Sequence, residues 1–302
     1  MKIKLFLSAL RLRTLPLSLA GVVLGTSLAA ADYHINPLTS VFVFLTACSL
    51  QILSNLSNEL GDYISGTESG QGRASTASLN NGEISLKGIK GMIAVWIGVS
   101  VVCGLLMIYF SFGTLFSLDS FVLMLLGYFA IKAAMKYTLG SSPYGYRGWG
   151  DLYVFLFFGL VSVGGSFFVL THSFGSWLML LPSAAIGFFS TAVLNVNNIR
   201  DMETDRLNRV TTAICLGDKG AKIYQCVLII AGWVSMIVYA SLRFFDLWHF
   251  LFFLVMPLFV FHLVYVWKHS GKELDASLSV LVISTFFFAV LSGAGFLAYL
   301  FI

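Results

Sequence analysis

Residues Gln51–Gly72 read QILSNLSNELGDYISGTESGQG, and here an apolar run that starts near Leu38 meets Asn55, Asn58, Glu59, Asp62 and then Glu68. On a helix Asn55, Glu59 and Asp62 fall at i, i+4 and i+7, so they share one face. Such groups are costly in hydrocarbon and call for a partner, a cation or a polar substrate. Far down the chain NVNNIRDMETDRLNR, residues 195–209, repeats the arrangement, with Asn198, Asp201 and Asp205 at i, i+3 and i+7. The expectation is that these two acidic helix ends face each other.

Working outward, the 302 residues are 58% hydrophobic and 11% charged, with a mean hydropathy of +0.88. Soluble domains run at roughly 45–50% apolar and about 25% charged. The chain is therefore read as a polytopic membrane protein. Leu15 to Ala31 carries no charge, and Ala29-Ala30-Ala31 resembles a cleavage site. Because the hydrophobic character persists to the end, this run is taken as the first span. Eight more runs near the ~20 residues a bilayer requires lie at about 38–58, 91–111, 114–131, 152–171, 176–198, 223–242, 247–267 and 276–302. The fold expected is an all-α, nine-helix membrane bundle, one domain over 1–302.

Basic residues are retained on the cytoplasmic side of short loops. With the N-terminus inside, of the 18 Lys and Arg only Arg243 falls outside, and both acidic clusters are cytoplasmic. That asymmetry also accounts for the net charge of +4 without invoking nucleic acid. No obligate protein partner is indicated. Cys48, Cys103, Cys215 and Cys226 show no close pairing, which suits small buried residues better than a disulfide framework or a zinc site. The longest polar loops are 59–90 and 199–222, and the four helices between the clusters suggest a duplicated helical unit, although no convincing repeat is visible.

Acids at helix ends are often no more than solvated loop residues, which suffices for Glu83, Asp218 and Glu273. It suits the two clusters less well. Carboxylates held close raise one another's pKa unless a cation lies between them. Magnesium fits, because it takes one or two carboxylates and completes its shell with water and substrate phosphates. Arg73 beside the first cluster and Arg200, Arg206 and Arg209 in the second could hold the remaining phosphate oxygens. No His or Cys stands in either cluster, which argues against zinc or copper. A magnesium–diphosphate site at a membrane rim points to a lipid-tailed diphosphate whose carbon–oxygen bond is broken with the metal's help. The competing class is a cation or proton transporter, but the acids lie at one rim and arginines accompany them.

These stretches resemble a known family. SNLSNELGDYISGTES (54–69) and NNIRDMETDR (197–206) are similar to the two acidic motifs of the UbiA-type intramembrane prenyltransferases. RLRTLPLSLAGVVLGTSLA (11–29) and YTLGSSPYGYRGWGDLYVFLFFGLVSVGGSFF (137–168) resemble the branch that prenylates 1,4-dihydroxy-2-naphthoate on the route to menaquinone. The resemblance implies nine helices around a central cavity in a bacterial inner membrane. It implies Asp62, Asp201 and Asp205 at the magnesium–diphosphate, with Asn58 and Asn198 as polar neighbours; Glu59 offers the metal a further carboxylate, and Asn55 is a candidate substrate contact. Arg73 and Arg206 would hold diphosphate, Tyr137 would touch it, and Arg13 would pair with the carboxylate of the aromatic acceptor. The reaction implied joins a polyprenyl chain to the naphthoate ring with loss of carbon dioxide and diphosphate. Prenylation of 4-hydroxybenzoate is the nearest alternative, and haem or a chlorophyll precursor a more distant one.

Departures from the pattern are Glu59 and Glu68 where Asp is commoner, Asp151 where Glu is frequent, and Leu207–Thr212 in place of a Gly-Lys-Arg-Thr-like run. Arg209 or Lys219 could stand in for the missing lysine. Lys132 and Lys136 read as snorkelling to the interface. Most Phe residues should face lipid or pack between helices, and no His is assigned to chemistry. Gly159, Gly164 and Gly165 suit close helix contact or a bend.

Overall fold

The computed structural model describes residues 10–64, 84–206, 209–243 and 246–298. Among the described residues the protein is helical, and nine helices are long and apolar enough to cross a membrane: α1 Leu15–Asp32, α2 Pro37–Ile64, α3 Leu86–Phe112, α4 Leu118–Lys136, α5 Gly150–Thr171, α6 Trp177–Arg200, α7 Thr212–Leu242, α8 Leu247–Lys268 and α9 Gly271–Ala298. The all-α, nine-span expectation holds.

Several boundaries move outward from the apolar runs. Helix α2 continues through Asn55, Asn58, Glu59 and Asp62 to Ile64, past the position 59 at which the loop was expected to start. Ser85 caps α3 by accepting from the Gly88 N–H, which draws Lys87 and Lys90 into the first turns. Helix α7 starts at Thr212, where the Thr211 hydroxyl accepts from Ile214 N–H, and it breaks at Gly217, whose φ of 69° suits glycine. The segment expected to be loop up to 222 is therefore largely helical.

The chain divides into two compact units, Met1–Leu15 with Val41–Gly150 and Glu203–Val210, and Pro16–Ser40 with Asp151–Met202 and Thr211–Ile302. In the first, Leu53, Leu56 and Leu60 of α2 pack with Ile84, Ile89, Met92 and Ile93. Leu118, Phe121, Leu125, Leu126 and Phe129 of α4 stay exposed, an apolar stripe suited to lipid.

The second unit is built around rings. Phe189 of α6 meets Phe259 at 4.7 Å and Phe288 at 4.9 Å, and Trp233 of α7 packs on Phe288 at 5.2 Å. A Cβ at Gly159 would stand 2.5 Å from the Ser183 carbonyl oxygen and 2.8 Å from Gly187 Cα, so this glycine lets α5 approach α6 closely, as its sequence setting indicated. Helix α5 is wound as a π-helix over Phe155–Gly164.

A buried polar chain also crosses this unit. Asn195 Nδ2 donates to Gln225 Oε1 at 2.8 Å, Gln225 Nε2 meets His262 Nε2 at 2.9 Å, and His262 Nδ1 meets Ser277 Oγ at 2.7 Å. Because Gln225 accepts with its oxygen, its amide nitrogen must donate to His262, leaving the imidazole proton on Nδ1. These four fully buried residues join α6, α7, α8 and α9 by hydrogen bonds. His262 thus has a structural part that the sequence did not single out.

Candidate active site

The face predicted on α2 is real and buried: Asn55, Glu59 and Asp62 are 4%, 1% and 7% exposed. Asn55 and Asp62 are both engaged within the first unit. Asn55 Nδ2 donates to the Leu10 carbonyl and the Thr14 hydroxyl, both at 2.9 Å, and its oxygen accepts from Gln51. It thereby fixes the segment that carries Arg13, which is exposed. Asn58 accepts from the Thr138 hydroxyl at 3.1 Å. Tyr137, next to Thr138, packs edge-on against Tyr144 with ring centroids 5.4 Å apart.

Asp62 is the centre. Its Oδ1 accepts from the Tyr146 hydroxyl at 2.6 Å and from Arg209 Nη2 at 2.5 Å. Arg209 Nε lies 3.7 Å from Asp205 Oδ1, and the guanidinium rests over the Tyr146 ring at 4.2 Å. Arg209 is held there by its own backbone, which donates to Asp205 O, while the next residue, Val210, donates to Tyr146 O. In the first unit the Arg209 guanidinium thus stands between the Asp62 and Asp205 carboxylates.

The second unit holds a parallel arrangement. Arg200 grips Asp201 through Nε at 3.0 Å and Nη2 at 2.7 Å, a bidentate fork. Its remaining donors reach Asp275 at 2.6 Å and Asn197 at 2.8 Å. Asp201 is 8% exposed and Asn198 likewise. Arg206 is exposed, whereas Asp205 is 3% exposed. Arg73 and Glu68 lie outside the described residues.

Sequence reasoning missed Tyr146 and Asp275. Neither has a helical spacing to its partner, since Tyr146 lies 84 residues from Asp62 and Asp275 75 from Arg200. The tyrosines of PYGYRG were the only visible hint.

A magnesium ion suits the donor chemistry. Glu59, Asp62 and Asp205 offer hard carboxylate oxygens, and neither acidic stretch of the sequence contains His or Cys. Among the described residues no group of three or more His, Cys, Asp and Glu is disposed to hold a metal ion unaided.

Glycine at 61 lets this arrangement form. A Cβ there would stand 2.5 Å from Thr138 Cβ and 2.6 Å from the Thr138 carbonyl oxygen, which cannot swing away. Gly61→Ala is therefore expected to lower stability by about 1–3 kcal/mol through overpacking. The measurement is the thermal midpoint in detergent, and an unchanged midpoint would contradict this packing.

The sequence model of the UbiA prenyltransferase family matches residues 18–291. The chain belongs to this family. It is 36% identical over 264 residues to the 1,4-dihydroxy-2-naphthoate octaprenyltransferase of Escherichia coli strain K12, covering 87% of this chain and 85% of that one. Among solved structures, the apo UbiA homolog from Aeropyrum pernix K1 superposes with a TM-score of 0.73 at 15% identity, over 96% of this chain and 99% of the other. The UbiA homolog from Archaeoglobus fulgidus, bound to DMAPP and Mg2+, superposes with a TM-score of 0.58 at 14% identity, over 97% and 99%. At these identities the structural likeness bears on the fold, and the all-α UbiA fold is the fold of this chain.

Proposed function

We propose that the protein transfers a polyprenyl chain from polyprenyl diphosphate to 1,4-dihydroxy-2-naphthoate, with loss of carbon dioxide and diphosphate, giving demethylmenaquinol for menaquinone biosynthesis. The observation that carries this reading is the 36% identity, over most of both chains, to a relative named for that activity. The whole of 1–302 serves as one enzyme of a bacterial inner membrane, with its N-terminus and reacting rim on the cytoplasmic side. The basic-residue asymmetry supports that orientation.

Magnesium, held by Glu59, Asp62, Asp201 and Asp205, would neutralise the leaving diphosphate when bound. The Mg2+ in the Archaeoglobus relative and the oxygen-only donor set favour it. The arginines have the complementary task. Arg200 and Arg209 each neutralise an aspartate in the structure, and each can exchange that carboxylate for a phosphate oxygen with the same planar fork. Arg73 and Arg206 add positive charge to the departing group, with Tyr137 as a further contact. Asn198 and Asn58 present amides beside the acids, and Asn55 anchors the segment from which Arg13 would take the acceptor's carboxylate.

In the reaction the allylic carbon–oxygen bond breaks and diphosphate leaves with the electron pair. The ring carbon that bears the carboxylate attacks the allylic cation and forms the new carbon–carbon bond. Carbon dioxide then departs, returning its bonding pair to the ring, so no dedicated base is required at that carbon.

The test is purified protein in detergent with polyprenyl diphosphate, magnesium or EDTA, and 1,4-dihydroxy-2-naphthoate or 4-hydroxybenzoate, read by mass spectrometry. A magnesium-dependent prenylated naphthoquinol lacking the carboxylate is expected. Product from the benzoate alone would change the acceptor, and none from either would reject the reading.

A further inference from the structure

Asp151 stands at the start of α5, and its carboxylate interacts with the hydroxyls of Thr212 and Tyr224 at the start and second turn after the break of α7. Among the described residues, however, its Oδ2 is buried with no hydrogen-bond partner. A buried carboxylate oxygen left unmatched costs free energy, most of all within a membrane bundle. Tyr224 and Thr212 are already committed to this group, and no arginine or lysine pairs with it in the structure as described.

The setting connects this oxygen to the second acidic motif. The Thr191 hydroxyl of α6 approaches the Asp151 carbonyl oxygen at 3.4 Å. Thr191, Asn195 and Asn198 follow at i, i+4 and i+7, so Asp151 docks on the same face of α6 that runs to Asn198. Asp201 is ten residues further along, roughly 15 Å at the helical rise. The Asp151 backbone thus docks on α6 about three helical turns from that motif, toward the interior of the span.

We propose that Asp151, oriented by Tyr224 and Thr212, receives a phenolic hydroxyl of the aromatic acceptor and so selects and orients the ring. The inference rests on the prenyl-transfer reading above and adds a residue to it. Chemistry decides between the substrates. A diphosphate offers only acceptor oxygens and is repelled by a carboxylate, and the prenyl tail has nothing to donate. The acceptor's own carboxylate is repelled too, so its hydroxyl-bearing side must turn to Asp151. A hydroxyl that donates there also leaves more electron density on its ring, which favours attack on an allylic cation.

The experiment compares wild type, Asp151→Asn and Tyr224→Phe, measuring KM for the acceptor and for polyprenyl diphosphate. It also measures binding of 1,4-dihydroxy-2-naphthoate and of its two mono-hydroxy analogues by fluorescence. Asp151→Asn is expected to raise the acceptor KM about tenfold to a hundredfold, the range for a hydrogen bond to a charged group, with the diphosphate KM unchanged. With the analogue that lacks the recognised hydroxyl, wild type and variant should bind alike, the signature of a direct pair. A similar loss with every analogue, or a change in the diphosphate KM instead, would overturn the assignment. Should Asp151→Asn not be recovered folded, Tyr224→Phe decides: a several-fold rise in acceptor KM alone supports the proposal and no rise rejects it. Wild type that prenylates neither acceptor would instead remove the underlying reading.

Discussion

Asp62→Asn is expected to reduce magnesium-dependent prenyl transfer by about 10³-fold or more while leaving a folded, monodisperse protein. The size follows from the chemistry assigned to the carboxylate: metal-assisted charge stabilisation is worth several kcal/mol in the transition state, and each 1.36 kcal/mol is tenfold in rate. The variant should lose less stability than one that removes Arg209. Asparagine keeps the volume and an acceptor oxygen for Tyr146 and Arg209, and Arg209 retains Asp205 as its carboxylate partner. Asp201→Asn should behave alike in turnover, although its partner there is Arg200. Both are read by product formation over a magnesium titration, with the thermal midpoint as the control for folding. Near-normal turnover of either variant at saturating magnesium would show that its carboxylate is not a metal ligand.

What could be read from the sequence follows the physics of one helix at a time. Spans were visible because ~20 apolar residues are needed to cross a bilayer, and the buried face of α2 was visible because Asn55, Glu59 and Asp62 share the helical period. Helix ends were misplaced where a cap or a kink overrides composition. Ser85 brings two lysines into α3, and the Thr211 cap starts a helix in polar residues that resumes after the kink at Gly217. The counter-ions were illegible for a different reason. Arg209 reaches Asp62 across 147 residues and Arg200 reaches Asp275 across 75, and no local spacing encodes such a meeting. Repulsion between carboxylates asks for a positive charge, but charge alone does not say whether a metal or a guanidinium supplies it. Asp151 was noticed only as a departure from a motif, since its unmatched oxygen emerges from packing.

That ambiguity can be tested directly at Arg209. The structure places its guanidinium on Asp62 and Asp205, with all three side chains nearly buried. Removing one partner of a buried ion pair leaves an uncompensated charge, typically a loss of about 3–5 kcal/mol. Arg209→Ala without magnesium should therefore show a clearly lower thermal midpoint than wild type. Adding magnesium should then help the variant more than the wild type, because the ion no longer competes with a resident cation for Asp62. Binding stabilises the folded state by mass action, about 2.7 kcal/mol at a hundred times Kd. Thermal midpoints of both proteins over a magnesium series, without prenyl diphosphate, read this independently of catalysis, and calcium or added salt separates a specific ion from screening. Prenyl transfer by the variant should stay low even when magnesium restores its stability, since the fork that would receive the diphosphate is gone. Equal magnesium shifts in the two proteins would mean that guanidinium and metal do not share Asp62, and the exchange proposed for Arg209 would fall while the ion pair itself stood.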